Sequence, residues 1–194
     1  MNVKFFVFLP ATMLLSQTVH DPLARTADEA AQRLRAGERR FQLGVATNGE
    51  VELLRRELTR AQRAIALRDN IPDQVAESFE REVQISLSQL DDVERRYQLG
   101  AADESAVVER KRDLVAVRRS ASEWRGQSGA LPPEARSAAR QQAKAFIEDE
   151  IALVQRQLQI EDRKVDAGAL TSDVLATRRA EIADLQASLK SYRR

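Results

Sequence analysis

The stretch "RRYQLGAADESAVVERKRDLV", Arg95–Val115, puts a glycine in the middle of residues that otherwise read as one helix. The same shape occurs upstream as "RRFQLGVATNGEVELLRRELT" (39–59) and, more loosely, downstream as "RKVDAGALTSDVLATRRAEIA" (163–183). Aligned on Gly44, Gly100 and Gly168, the copies keep apolar residues in register. Phe41, Tyr97 and Val165 stand three residues before the glycine, Val51, Val107 and Leu175 seven after it, and Leu58, Leu114 and Ile182 fourteen after it. One position, thirteen after the glycine, is acidic every time: Glu57, Asp113, Glu181. Self-similarity on this scale marks stacked supersecondary units.

The spacing inside each unit is helical. Val51, Leu54, Leu58, Ala61 and Ile65 advance by alternating threes and fours, a narrow coiled-coil-like seam. Phe79, Val83, Leu87, Leu90 and Tyr97 lead into Gly100, and Ile147, Ile151, Val154, Leu158 and Val165 into Gly168. Glycine is the usual residue just past a helix end, where the chain turns left-handed. Thr47 or Asn48, Asp103, and Thr171 or Ser172 then offer oxygens to cap the next helix. Each unit therefore reads as helix, glycine turn, helix. Pro72, Pro132 and Pro133 punctuate the connections between units. The expectation is an all-α chain of six helices near 24–42, 48–68, 73–98, 103–125, 133–166 and 171–192. They form three hairpins over 21–70, 71–128 and 129–194, arranged as an up-down bundle or an extended coiled-coil-like array. The seam residues are Phe41, Val51, Leu54, Leu58, Tyr97, Val107, Leu114, Leu158, Leu175 and Ile182. No stretch alternates as a strand does.

Composition bounds the chemistry. The 194 residues are 31% charged but only 5% aromatic, with a net charge of +1. Arginine pairs and the basic run at 110–112 lie among acidic residues, with few aromatics to stack bases, so nucleic acid is not expected as a partner. There is no Cys, and His20 is the one His. That removes disulfides, thiol nucleophiles and most zinc sites, so no catalytic, cofactor or metal residues are expected. Glu148, Asp149 and Glu150 have no His for a Glu-x-x-His site and read as a solvated helix face. Acid-to-Arg pairs four apart, such as Glu52–Arg56, Glu77–Arg81, Asp91–Arg95 and Asp92–Arg96, support exposed helices. Trp124 reads as a cap over helix ends.

Two arginines fall on the seam. Arg110 and Arg178 hold the position that Leu54 fills in the first unit, and Glu94 and Glu161 fall on the seams of the preceding helices. Cross-hairpin pairs Glu94–Arg110 and Glu161–Arg178 are expected; the alternative is that these side chains reach solvent. At the N-terminus, Lys4 precedes an apolar run from Phe5 to Leu15 that is too short to span a bilayer and matches an export signal within residues 1–20. Cleavage after Thr18 would make His20 the second mature residue and leave no transmembrane span in the mature chain.

The segment "VDAGALTSDVLATRRAEIADLQASL", with Gly168, Leu170, Val174 and Leu175, resembles the helical hairpins of TolC-like outer membrane efflux proteins. In that family such hairpins build the periplasmic tunnel, and their tips meet a membrane-fusion adaptor. The resemblance implies a hairpin of this kind in the cell envelope. It does not imply a channel, because no barrel strands accompany the hairpins. The expected function is that of an exported, periplasmic or secreted protein that works by contact with a protein partner or itself, as an efflux accessory or envelope scaffold. The turn residues Gly44, Gly100, Gly168, Ala101 and Ala169 are its first docking candidates. The alternative is an intracellular coiled-coil interaction or regulatory protein.

Overall fold

Three identical chain reversals organise the molecule. The computed structural model describes residues 21–192; the expected export segment, 1–20, lies outside them. Six helices follow one another: α1 Pro22–Gln42, α2 Asn48–Arg68, α3 Pro72–Gln98, α4 Glu104–Gln127, α5 Pro133–Asp166 and α6 Asp173–Ser191. There is no strand among the described residues.

At Gly44, Gly100 and Gly168 the backbone takes φ near +70°. The glycine N–H donates to the carbonyl three residues back (Phe41, Tyr97, Val165; 2.8–2.9 Å). The next N–H donates five back (Arg40, Arg96, Lys164; 2.8 Å each). This is the Schellman closure, which left-handed backbone permits and which glycine adopts without steric cost. A fourth copy ends α2 without glycine. Asn70 has φ 54°, and Ile71 N–H donates to Ala66 O at 2.9 Å. Asn is the residue other than Gly that tolerates this region best, and Pro72 then opens α3 at its first turn.

The next helices start on side-chain caps where the sequence allows. Thr47 and Glu50 form a reciprocal capping box on α2, and Asp103 accepts from Ala106 N–H on α4. Neither Thr171 nor Ser172 caps α6 by a side chain: its N-cap, Ser172, makes no such bond.

Backbone to backbone, each helix approaches only its chain neighbours. The result is a stacked array of hairpins, quasi-one-dimensional in the sense that each unit meets only the next. Alternating helix direction puts the three glycine turns at one end and the proline loops at the other. The apolar core is thin. One cluster joins Ala66, Val75, Phe79 and Ala121, with Trp124 packed against it; another joins Ile147, Val154 and Leu185. Among the described residues eleven polar or charged side chains are buried beside eighteen apolar ones. An interior this polar needs its charges paired.

Most seam residues face inward. Val51, Val107, Leu114 and Leu175 are buried, and Leu54, Leu58, Leu158 and Ile182 are half-buried. Phe41 and Tyr97 are different, at 46% and 47% exposed. Ser88 on α3 meets Glu52, one turn into α2. Tyr97 lies more than two turns beyond Ser88, so it overhangs the start of α2. Phe41 ends a helix whose one neighbour among the described elements is α2.

Candidate interaction surfaces and the charge ladders between units

The charges that hold the units together recur at fixed distances from the turn glycine. Arg56 and Arg112 stand twelve residues after Gly44 and Gly100. Each reaches the acidic residue thirteen after the next glycine. Arg56 Nη1 lies 3.7 Å from Asp113, and Arg112 pairs with Glu181. The same two carboxylates are gripped from their own helices by Arg110 (2.9 Å) and Arg178 (3.1 Å). In the second and third units the acidic position thus receives one guanidinium from its own unit and one from the unit before, whereas Glu57 in the first unit has Arg33 at 3.7 Å.

A second ladder runs deeper. Glu82 and Glu150 stand eighteen residues before Gly100 and Gly168; Arg63 and Arg119 stand nineteen after Gly44 and Gly100. Arg63 donates to Glu82 at 2.7 Å, and Arg119 lies 2.8 Å from Glu150. Glu82 takes a further bond from Arg60 Nε at 2.7 Å. In the next unit Ala116 replaces that arginine. A polar cavity of about 280 Å³ opens there, lined in part by Arg112, Ala116, Glu150 and Gln157. Arg112 Nε, Glu150 Oε2 and Gln157 Oε1 are buried in it without a well-formed hydrogen bond. In the equivalent place between the first two units, Arg56 donates to Gln89 at 2.6 Å. Burial pushes the Glu150 carboxyl up from its ordinary range, against the pull of Arg119 and Arg112; Glu181 and Glu123 add to the rise.

Both ladders stop at the ends. Ala180 and Ala187 replace the ladder arginines in the third unit, and Thr26 replaces the deeper glutamate in the first, which keeps only the other acidic position, Glu57.

These contacts relocate several residues expected elsewhere. Glu150 is buried, whereas Glu148 and Asp149 are exposed. Glu52 and Arg56 are both buried and reach α3, where Glu52 accepts from Ser88 and Arg56 donates to Ser86 and Gln89; Glu52 also accepts from Asn48 on its own helix, and Arg56 also lies near Asp113 on α4. Glu77–Arg81 and Asp91–Arg95 do form exposed pairs. Arg178 binds Glu161 across the third hairpin, with Nε 3.2 Å from both carboxylate oxygens. Glu94 instead pairs with Lys111 at 2.9 Å. Lys111 is one residue further round α4, toward α3, while Arg110 is held by Asp113 on the side where Arg56 arrives. The signal for both ladders was present as like charges at one register in successive copies. Apolar periodicity alone passes over it.

The glycine-turn end is the other distinctive surface. Among the described residues, six of the nine exposed large apolar side chains lie there: Phe41, Leu43, Val45, Tyr97, Leu99 and Leu170. Leu43 and Leu99, each the residue before a turn glycine, are 77% exposed. A Cβ on Gly44, Gly100 or Gly168 would meet nothing within 4 Å. The second and third turns are held side by side by Lys164–Asp103 (2.9 Å) and Arg156–Glu104 (2.5 Å). Ala101 and Ala169 each provide the N–H that closes their turn.

Among the described residues no group of His, Cys, Asp or Glu side chains is arranged to hold a metal ion, and no helix is long and apolar enough to cross a membrane. No protein-family model, curated protein or solved structure matches the chain.

Proposed function

We propose that this protein is a non-enzymatic helical-hairpin scaffold of the cell envelope that works through protein–protein contacts made at its glycine-turn end. The observation that carries the reading is the gathering of six exposed large apolar side chains at that end, against three elsewhere among the described residues, Leu53, Leu67 and Ile71. Exposed apolar groups scattered singly are ordinary; a group of them at one end of a molecule is a docking feature. Their placement on Schellman turns makes them rigid, so little ordering entropy is lost on contact. Export rests on the N-terminal sequence. A role as an efflux accessory rests on the likeness of the hairpins to TolC-like ones.

Leu43→Glu combined with Leu99→Glu tests the docking surface. Both residues are exposed, so helicity and melting temperature should stay at wild-type values, while capture of the envelope partner by the tagged protein should be lost. Capture that survives both charges would remove the turn end from the account. Fractionation of the tagged full chain tests the compartment: recovery in the cytoplasm with the N-terminus intact would exclude export.

A further inference from the structure

A second surface lies on the flank. An open groove of about 880 Å³ crosses five helices, from Leu34 on α1 to Phe146 on α5. Its apolar lining includes Leu58, Val83 and Phe146, all half-buried and so only partly covered by the chain itself. Its rim is arginine-rich, and the arginines differ in how they are engaged. Arg55 and Arg81 are held by Glu38 and Glu77 at 3.1 and 2.6 Å. Arg125 is only 3.9 Å from Glu80, and Arg118 has no carboxylate within 4.0 Å among the described residues. Arg118 and Arg125 are seven residues apart on α4, two turns along one helix face, roughly 10 Å.

The shape of the groove restricts what fits. No strand edge exists among the described residues, so an extended peptide has no ladder to join. Proline-rich peptides want aromatic walls, and here the aromatic side chains are Phe146 and the buried Phe79. A helix is about 10–12 Å wide with a 5.4 Å pitch, so a half-sunk helix of roughly three turns fills the volume. Its exposed flank then runs beside Arg118 and Arg125.

We infer that this groove binds an amphipathic helix of a partner protein, with the partner's apolar stripe on Leu58, Val83 and Phe146 and its acidic residues on Arg118 and Arg125. Charge at the rim sets which helices bind, and the apolar floor holds them. The surface is separate from the glycine-turn end and stands or falls independently of it.

The single Trp of the chain reports on it directly. Trp124 precedes Arg125 and lies with its ring centroid 6.0 Å from that of Phe79, which lines the groove. The full chain is titrated with a synthetic helical peptide carrying Leu at i, i+3, i+4 and i+7 and Glu on its flanks, and with the same peptide carrying Lys for Glu. The Glu peptide should change Trp124 emission saturably, and the Lys peptide should bind at least tenfold more weakly. Arg118→Glu with Arg125→Glu should reverse the preference, which an unfolded variant could not do. Phe146→Asp should weaken both peptides tenfold or more with circular dichroism unchanged. Equal affinity for the two peptides, or no reversal in the charge-swapped chain, would overturn the inference. So would self-association of the full chain that Phe146→Asp abolishes, which puts a second copy in the groove. Peptide binding gained only when Phe5–Leu15 are replaced by polar residues would also overturn it, since the chain's own segment would then be the occupant.

Discussion

Glu82 and Glu150 occupy one repeat position, and neutralising each should have different consequences. The Glu82 side chain is 1% exposed and accepts from Arg60 Nε and Arg63 Nη2, both at 2.7 Å. Glu82→Gln keeps the shape but removes the charge and turns an amide NH₂ toward a guanidinium. Breaking a buried pair by removing one partner costs about 3–5 kcal/mol, because the other charge is left uncompensated. Arg63 is that charge, at 14% exposure. Two features pull toward the low end. Arg60 is 56% exposed and can return to water, and Arg63 keeps the Phe79 ring, 4.1 Å from its guanidinium carbon. The loss should be about 3 kcal/mol. Among the described residues Glu150 has one cation within ion-pair distance, Arg119, off the line of a good hydrogen bond, and burial already disfavours its charged form. Glu150→Gln should therefore change stability by less than about 1 kcal/mol, in the stabilising direction. Urea unfolding at pH 7, followed by circular dichroism and by Trp124 fluorescence, measures both, and unchanged m-values confirm that only stability moved. Equal losses, or a larger loss at Glu150, would refute the reasoning.

The remaining expectations follow from the same contacts. Because the folded pKa of Glu150 is raised, the folded state binds its proton more tightly than the unfolded chain does. This site's contribution to stability then falls as pH rises through the folded value, and Glu150→Gln should flatten that slope just above the ordinary carboxylate range. Ala116→Arg supplies the guanidinium that Arg60 gives to Glu82. It should raise the unfolding free energy from urea melts by about 0.5–1 kcal/mol, and it should make Glu150→Gln costly in a double-mutant cycle. Leu114→Ala, at a buried seam position, should cost about 2–4 kcal/mol, Leu158→Ala less, and Leu99→Ala under about 0.5 kcal/mol, all read from denaturation midpoints. Gly100→Ala has room for the methyl but not the backbone preference, so about 1 kcal/mol is lost in thermal melts, while Asn70→Gly should be neutral or slightly stabilising.

The helix ends were legible because local signals set them. Pro72 and Pro133 open α3 and α5, glycine at a left-handed position closes α1, α3 and α5, and Thr47 and Asp103 cap their successors. The end of α2 carried a weaker signal, since Asn70 does with more strain what glycine does elsewhere. Charges were harder to read. Apolar periodicity puts Glu52, Arg56 and Glu150 off the seams, where they read as surface residues, and gives no sign that Glu82 is buried. Their burial depends on the next unit arriving with the complementary charge, a tertiary fact visible in sequence only as charges repeated at one register. The exposure of Phe41 and Tyr97 has a similar origin, because seam spacing does not say where the covering helix begins. The groove over α1–α5 is lined from five helices at once, which no single helix encodes.

The docking role of the glycine-turn end is tested most directly by a photo-crosslinking residue placed at Leu99 in the full-length protein in cells, and separately at Leu53, which is 50% exposed on the flank of α2. Leu99 should give one dominant protein adduct, lost when Leu43→Glu is added in the same chain, and Leu53 should give none of that species. An adduct from Leu53 with none from Leu99 would contradict it.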